Sequence, residues 1–269
     1  LIMESCRQRN IRILVLDRPN PIDGLTIEGN LPQTAWYSFV CMAQIPMRHG
    51  LSIGEMALLF NQEFNNEVNL EVVPMTGWER SMHWDDTGLP WVNPSPNLPT
   101  PSGALVYPGS VLIEGTEFSE GRGTTRSLEL FGHPELDPFS LSPLLNKELS
   151  KAGLSGFVLR PTFFKPTFQK HMGKVCGGFQ FHCTNRDEFE PWKLMQHSLR
   201  ILYHELNLEK FWNTDPYEYE TDGLGIDYIN GTSDIREWIE SNGSPAELNE
   251  LEIKGQIEFK EKRNEVLIY

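Results

Sequence analysis

The sequence predicts an α/β fold that opens on a parallel sheet. Three observations predict it: a near-continuous apolar run at 11–16, a capped helix pattern after Ser52, and a short strand pattern at 70–75. Residues 1–9 (LIMESCRQR) read as the end of a helix, so 1–75 alternate helix, strand, helix, strand. That is the order of a parallel sheet with crossover helices. A near-continuous apolar run such as IRILVL is the mark of a strand covered on both faces. A helix end at Leu1 feeding such a strand is expected where a chain continues a longer α/β unit.

Each element has a local cause. Ser52 and Glu55 form an S-x-x-E capping box, and Met56, Leu59 and Phe60 follow at helical spacing. Pro74 confines the second strand to an edge or a strand end. From Thr76 to Glu120 periodicity lapses and Trp and Pro crowd together. Disordered linkers are poor in aromatics, so this segment is expected to be an ordered loop around a site. The Thr/Leu-rich part of GRGTTRSLELFG resembles a strand, and 144–151 a helix stopped by Gly153. Residues 157–164 and 175–184 read as strands with alternating character. An amphipathic helix follows over 188–206 and a shorter one over 234–242. A last helix starts at Ser244-Pro245-Ala246-Glu247, which combines a capping box with Pro at the first helical position. A boundary near residue 80 divides 1–80 from 81–269.

The chain has 269 residues, and 23 Lys+Arg against 37 Asp+Glu leave a formal charge of −14. Such a surface repels nucleic-acid backbones and anionic membranes. Hydrophobic residues at 39% exclude disorder from low hydrophobicity, and no apolar run approaches the ~20 residues of a membrane helix. The cysteines, Cys6, Cys41, Cys176 and Cys183, form no CxxC pair, so their spacing selects no disulfide pairing. Cys176, His182 and Cys183 lack a zinc spacing and HExxH is absent, so no metal site is expected. No G-x-S-x-G marks a serine nucleophile.

Polar groups gather in three loops. Asp17-Arg18-Pro19-Asn20-Pro21 leaves the carboxyl end of the first strand, where ligands of open α/β sheets sit, and its prolines stiffen it. Arg48-His49-Gly50 heads the capped helix. There a neutral imidazole would be tuned by the helix dipole, or would simply cap or pack. In Glu120-Gly121-Arg122-Gly123-Thr124-Thr125, two glycines let the backbone approach a ligand while Arg122 and the hydroxyls offer donors. The same residues equally make a Gly-stabilised turn ahead of a strand, and a phosphate loop is the weaker reading without the P-loop Lys. Glu114 and Glu120 flank one loop and Glu28 lies in another, an adequate supply of the carboxylates that glycoside hydrolysis uses, although among 37 acidic residues most are expected to be solvated surface.

The segments VLDRPNPIDGLTIEGN, IPMRHGLSIGEMA, VVPMTGWERSMHWDDTGLPWVNPSPNLPTP, ALVYPGSVLIEGTEFSEGRGTTRSLELFG, PTFFKPTFQKHMGKVCGGFQFHCTNRDEFEP and NGTSDIREWIE resemble, in order, the bacterial exo-β-N-acetylmuramidase (NamZ-type) family. The resemblance covers nearly the whole chain. It implies the C-terminal remnant of a Rossmann-like parallel-sheet domain over 1–80, then an α/β (α+β) auxiliary domain over 81–269 forming the other wall of a cleft. It implies release of terminal β-1,4-linked N-acetylmuramic acid (MurNAc) from peptidoglycan fragments, with MurNAc–GlcNAc saccharides as partners and no cofactor. A periplasmic or secreted location goes with it. Most of the Rossmann-like domain and its proposed catalytic Glu would lie upstream of Leu1. The chain alone is therefore expected to be weakly active or inactive, the alternative being a non-catalytic sugar-binding remnant.

By motif match, the resemblance makes Glu120, with Glu114 behind it, the catalytic candidate of this chain, as the second carboxylate beside the Glu expected upstream. Asp17, Arg18, Asn20, Glu28, Arg48, His49, Trp84, Trp91, Asn97, Arg122 and Thr124 are the substrate-binding candidates. Arg122, Arg48 or Arg18 would fork onto the lactyl carboxylate of MurNAc. Asn97 and Asn20 suit hydroxyls and the N-acetyl group, and Trp84 or Trp91 a stacking wall.

Overall fold

A two-stranded parallel ribbon and a three-stranded antiparallel sheet organise the chain. The structure, a computed structural model, describes residues 1–64 and 67–269. It divides into two compact units that interleave along the sequence: residues 1–27, 48–91 and 255–269 form the first, and 28–47 and 92–254 the second.

The first unit runs α1 (Ile2–Gln8), β1 (Ile13–Leu16), α2 (Ile53–Glu63) and β2 (Leu70–Val73), with β1 and β2 parallel and Ile13 opposite Leu70. This is the predicted alternation, and Pro74 does end the second strand. The capping box forms as read: Glu55 N–H donates to Ser52 Oγ (3.2 Å), and Ser52 N–H donates to Glu55 Oε2 (2.9 Å). Helix α2 rests closely on the sheet because Gly54 has no side chain. A Cβ there would lie 2.5 Å from Val72 Cγ1 and 2.8 Å from Asp17 Cγ. One expectation needs correction. β1 is not covered on both faces, for Leu14 and Leu16 are 53% and 66% exposed while Ile13 and Val15 are sheltered. Among the described elements α2 covers one face only, so an all-apolar strand carries an alternating burial pattern.

The second unit holds α3 (Pro101–Ser110), β3 (Leu130–His133), α4 (Pro138–Lys151), β4 (Phe157–Phe164), β5 (Cys176–Cys183), α5 (Pro191–Glu205), α6 (Gly225–Asn230), α7 (Asp234–Glu240) and α8 (Pro245–Ile253). Its sheet has the order β3-β5-β4, both pairs antiparallel. Phe131, Phe179, Trp192, Leu194 and Leu199 are wholly buried around it. The segment 76–120, read as loop throughout, contains α3. Thr100 caps it through Gly103 N–H, and Pro101 sits at its first position. Most of its residues from Gly103 to Ser110 are buried, so no polar face betrays a helical period. The helix predicted from Ser244 breaks at Gly255, whose φ of +82° ends α8 and begins α9 (Gln256–Asn264), a helix of the first unit.

Candidate functional site

The Glu120–Thr125 loop is a rigid turn that also carries a charged cluster. Gly121 and Gly123 have φ of +69° and +76°, the left-handed region that L side chains avoid. A Cβ on Gly123 would collide with Thr167 Oγ1 and stand 2.7 Å from Phe168 N. Thr124 Oγ1 donates to Gly121 O (2.6 Å), so this candidate binding hydroxyl locks the turn. The geometry leaves Arg122 projecting between two carboxylates. Its Nε donates to Glu120 Oε1 at 2.6 Å and its Nη2 to Glu114 Oε1 at 2.5 Å.

Two residues that the sequence reading did not single out complete the cluster. Lys170, in the connection between β4 and β5, places Nζ 3.3 Å from Glu120 Oε2. The same ammonium donates to the carbonyls of Ile113 (2.9 Å), Thr116 (2.8 Å) and Phe118 (3.0 Å). Tyr217 donates its hydroxyl to Glu114 Oε2 at 3.0 Å. The result is a chain Lys170–Glu120–Arg122–Glu114–Tyr217 inside the second unit. Lys170 had a signal, lying in the quoted PTFFKPTFQKHMGKVCGG block; Tyr217 had none.

The electrostatics of the cluster follow from opposing effects. Burial pushes the Glu120 carboxyl up, but the charge of Lys170 and the Arg122 hydrogen bond overcome it, and the group is held below the usual carboxylate range. Burial pulls the Lys170 ammonium below its ordinary value against the pull of Glu120. Arg122 moves the other way, since Glu120 and Glu114 outweigh its burial. Burial and the neighbouring Glu114 raise the Tyr217 phenol, which keeps it a hydrogen-bond donor. Glu120 is therefore an anion at neutral pH. It fits a base, a nucleophile or a stabiliser of positive charge, and not a proton donor.

The remaining candidates of the second unit hold structure. Glu28 is 2% exposed and accepts Lys193 N–H at 3.1 Å, capping the N-terminus of α5 from afar. Asn97 Oδ1 accepts from Ser127 Oγ at 3.2 Å, next to Thr100 and Ser102, which both donate to buried Glu129.

In the first unit most candidates are also committed. Asp17 accepts from Ser52 Oγ (2.7 Å), Gly54 N–H (2.7 Å) and Tyr269 OH (2.8 Å), an anion set against the N-terminus of α2. Asn20 donates to Leu51 O and accepts Ile22 N–H. Arg48 is buried and paired with Asp23 at 2.7 Å. His49 is neutral, as one reading held, but for another reason. Burial, aided by the charge of Arg263, pulls it down to about 4, and its Nδ1 accepts Leu51 N–H. Trp84 is buried edge-on against Trp91, ring centroids 5.1 Å apart.

Arg18 is different. It is exposed, its guanidinium lies 6.0 Å from the Trp84 ring, and it forms no ion pair among the described residues. With Asp17, Met75, Trp78, Met82 and Asp86 it lines a cavity of about 280 Å³ just beyond the carboxyl ends of β1 and β2. Among the described residues no group of three or more His, Cys, Asp or Glu side chains is arranged to hold a metal ion.

The chain is 42% identical over 269 residues to the peptidoglycan β-N-acetylmuramidase NamZ of Bacillus subtilis (strain 168), a match covering 99% of this chain and 62% of that protein. It thus spans under two thirds of the length of this curated relative. A crystal structure of a DUF1343 family protein from Bacteroides fragilis NCTC 9343 superposes with a TM-score of 0.84 at 28% identity, over 99% of this chain and 68% of that one. A second DUF1343 family protein from the same organism gives a TM-score of 0.74 at 26% identity, over 100% and 69%. Residues 1–102 match the family model described as exo-β-N-acetylmuramidase NamZ, N-terminal, and residues 105–269 the one described as its C-terminal part. The Arg–Glu cluster and the Asp17–Arg18 loop are thus parts of a chain that belongs to the NamZ exo-β-N-acetylmuramidase family.

Proposed function

We propose that this chain acts in the hydrolytic release of terminal β-1,4-linked MurNAc from peptidoglycan fragments, in cell-wall turnover. The observation that carries the reading is the half-buried Lys170–Glu120–Arg122–Glu114 arrangement around the buried Glu120, in a chain matched to the family over nearly its whole length. Glycoside hydrolysis passes through an oxocarbenium-like transition state that a fixed anion stabilises, while a separate protonated acid assists the leaving oxygen. Glu120 supplies the fixed anion. Lys170 and Arg122 hold its charge and orientation before substrate arrives, so no reorganisation is needed as positive charge develops. Arg122 Nη1 makes no hydrogen bond among the described residues and remains for a substrate oxygen. The reaction in this form calls on side chains alone, without metal or organic cofactor.

A second reading, sugar binding without turnover, is favoured by one feature. Glu114 and Glu120 are both engaged by cations or a phenol, and Glu120 is held ionised, so it cannot serve as the acid. One experiment separates the two. The chain is incubated with a MurNAc–GlcNAc disaccharide, and free MurNAc is measured alongside disaccharide binding. Release that Glu120→Gln abolishes supports hydrolysis, binding without release supports the second reading, and neither overturns both.

A further inference from the structure

We propose that Arg18 is the residue that reads the lactyl carboxylate of a MurNAc ring, seated in the cavity at the carboxyl ends of β1 and β2. The inference rests on the peptidoglycan-sugar reading above and concerns the cavity of the first unit alone. The family resemblance offered three guanidiniums for the carboxylate, and the structure separates them. Arg48 is 2% exposed and spends its Nη2 on Asp23 and on Ile22 O. Arg122 is spanned by Glu114 and Glu120, so a third carboxylate there would meet two like charges. Arg18 has no acidic partner among the described residues and borders an open cavity.

The rest of the cavity wall suits a carboxylated sugar. Met75, Trp78, Met82 and Leu89 give an apolar side for the lactyl methyl and the C–H face of a pyranose ring. Trp78 is buried, and its indole N–H has no hydrogen-bond partner among the described residues, a donor that a ligand acceptor would satisfy. The two carboxylates in the wall do not cancel the attraction. Asp17 is turned to the donors of Ser52, Gly54 and Tyr269, and Asp86 accepts His83 N–H. In a chain of net charge −14, an anion is retained only where such a local cation stands uncommitted.

The test is equilibrium binding to the whole chain, followed by calorimetry and by Trp fluorescence. The ligands are MurNAc, its lactyl methyl ester and N-acetylglucosamine. A charged fork to carboxylate predicts roughly tenfold or greater preference for MurNAc over the other two. Arg18→Gln erases the preference, and Arg18→Lys, a point charge without the fork, keeps only part of it. Equal affinity for all three ligands, no measurable MurNAc binding, or an Arg18→Gln chain that still prefers MurNAc overturns the proposal. Arg18 is exposed, so an unchanged melting temperature verifies that each variant is folded. If Arg18-dependent MurNAc binding appears without disaccharide cleavage, the hydrolytic reading fails and this one stands. Cleavage by an Arg18→Gln chain with unchanged MurNAc preference has the reverse meaning.

Discussion

Removing the cation behind Glu120 gives the sharpest test of the cluster. Lys170→Met keeps the aliphatic stem but leaves a carboxylate whose side chain is 3% exposed facing Arg122 alone. It also strips a donor from the carbonyls of Ile113, Thr116 and Phe118. Breaking a buried ion pair by deleting one partner costs about 3–5 kcal/mol. Because Lys170 is 19% exposed and Arg122 remains, the low end, about 3 kcal/mol, applies here. At roughly 2–4 °C per kcal/mol for chains near this size, the melting temperature should fall by about 6–12 °C. Circular dichroism melts of Lys170→Met, Glu120→Gln and the double variant complete a cycle, and the double variant should lose about 1–3 kcal/mol less than the two singles combined. The pH dependence has a definite sign. Glu120 binds its proton less readily folded than unfolded, so its contribution is whole above the ordinary carboxyl value and is lost as pH falls through the folded one. The gap between the wild-type chain and Glu120→Gln should therefore narrow on acidification. A Lys170→Met melt within a degree of wild type, or strictly additive losses, would refute the reasoning.

Three further outcomes follow from particular contacts. Gly123→Ala combines a left-handed φ with a clash against Thr167 and the backbone of Phe168, so urea titration should show a loss of about 2 kcal/mol, with weaker saccharide binding as Arg122 shifts. Glu28→Ala uncaps the N-terminus of α5 and should cost about 1–2 kcal/mol in the same titration, while Glu28→Gln, which keeps an acceptor for Lys193 N–H, should recover most of it. His197 is 3% exposed, and burial followed by the charges of Arg200 and Lys193 lowers its pKa to about 4. The unfolded chain takes up that proton first as pH falls below about 6.5, so stability should drop by up to about 3 kcal/mol between there and pH 4. His197→Gln should flatten the slope, and an unaltered slope would remove His197 from the acid response.

Much of the fold was legible because its causes are local. The Ser52–Glu55 and Ser244–Glu247 boxes, Pro74 at a strand end and the alternating 157–164 segment each act within a few residues, and each stands in the structure. α3 was not legible. A helix buried on nearly all sides shows no period, and only Thr100-Pro101 hinted at its start. The exposed face of β1 was likewise hidden, since apolar residues do not state what covers them. In the site, the motif residues Glu120, Gly121, Arg122 and Gly123 could be picked out, and glycines at positive φ explain their spacing.

What those residues do was decided by groups distant in sequence. Tyr217 reaches Glu114 across 103 positions, and Lys170 arrives on the β4–β5 connection to cancel the cost of burying Glu120. Arg48 and Arg18 look alike in sequence, yet one meets Asp23 in the interior and the other faces a cavity. Backbone conformation is a short-range property and was readable from residue types. The charge state and availability of a side chain depend on burial and on every neighbour within a few ångströms, and only the folded chain selects those neighbours.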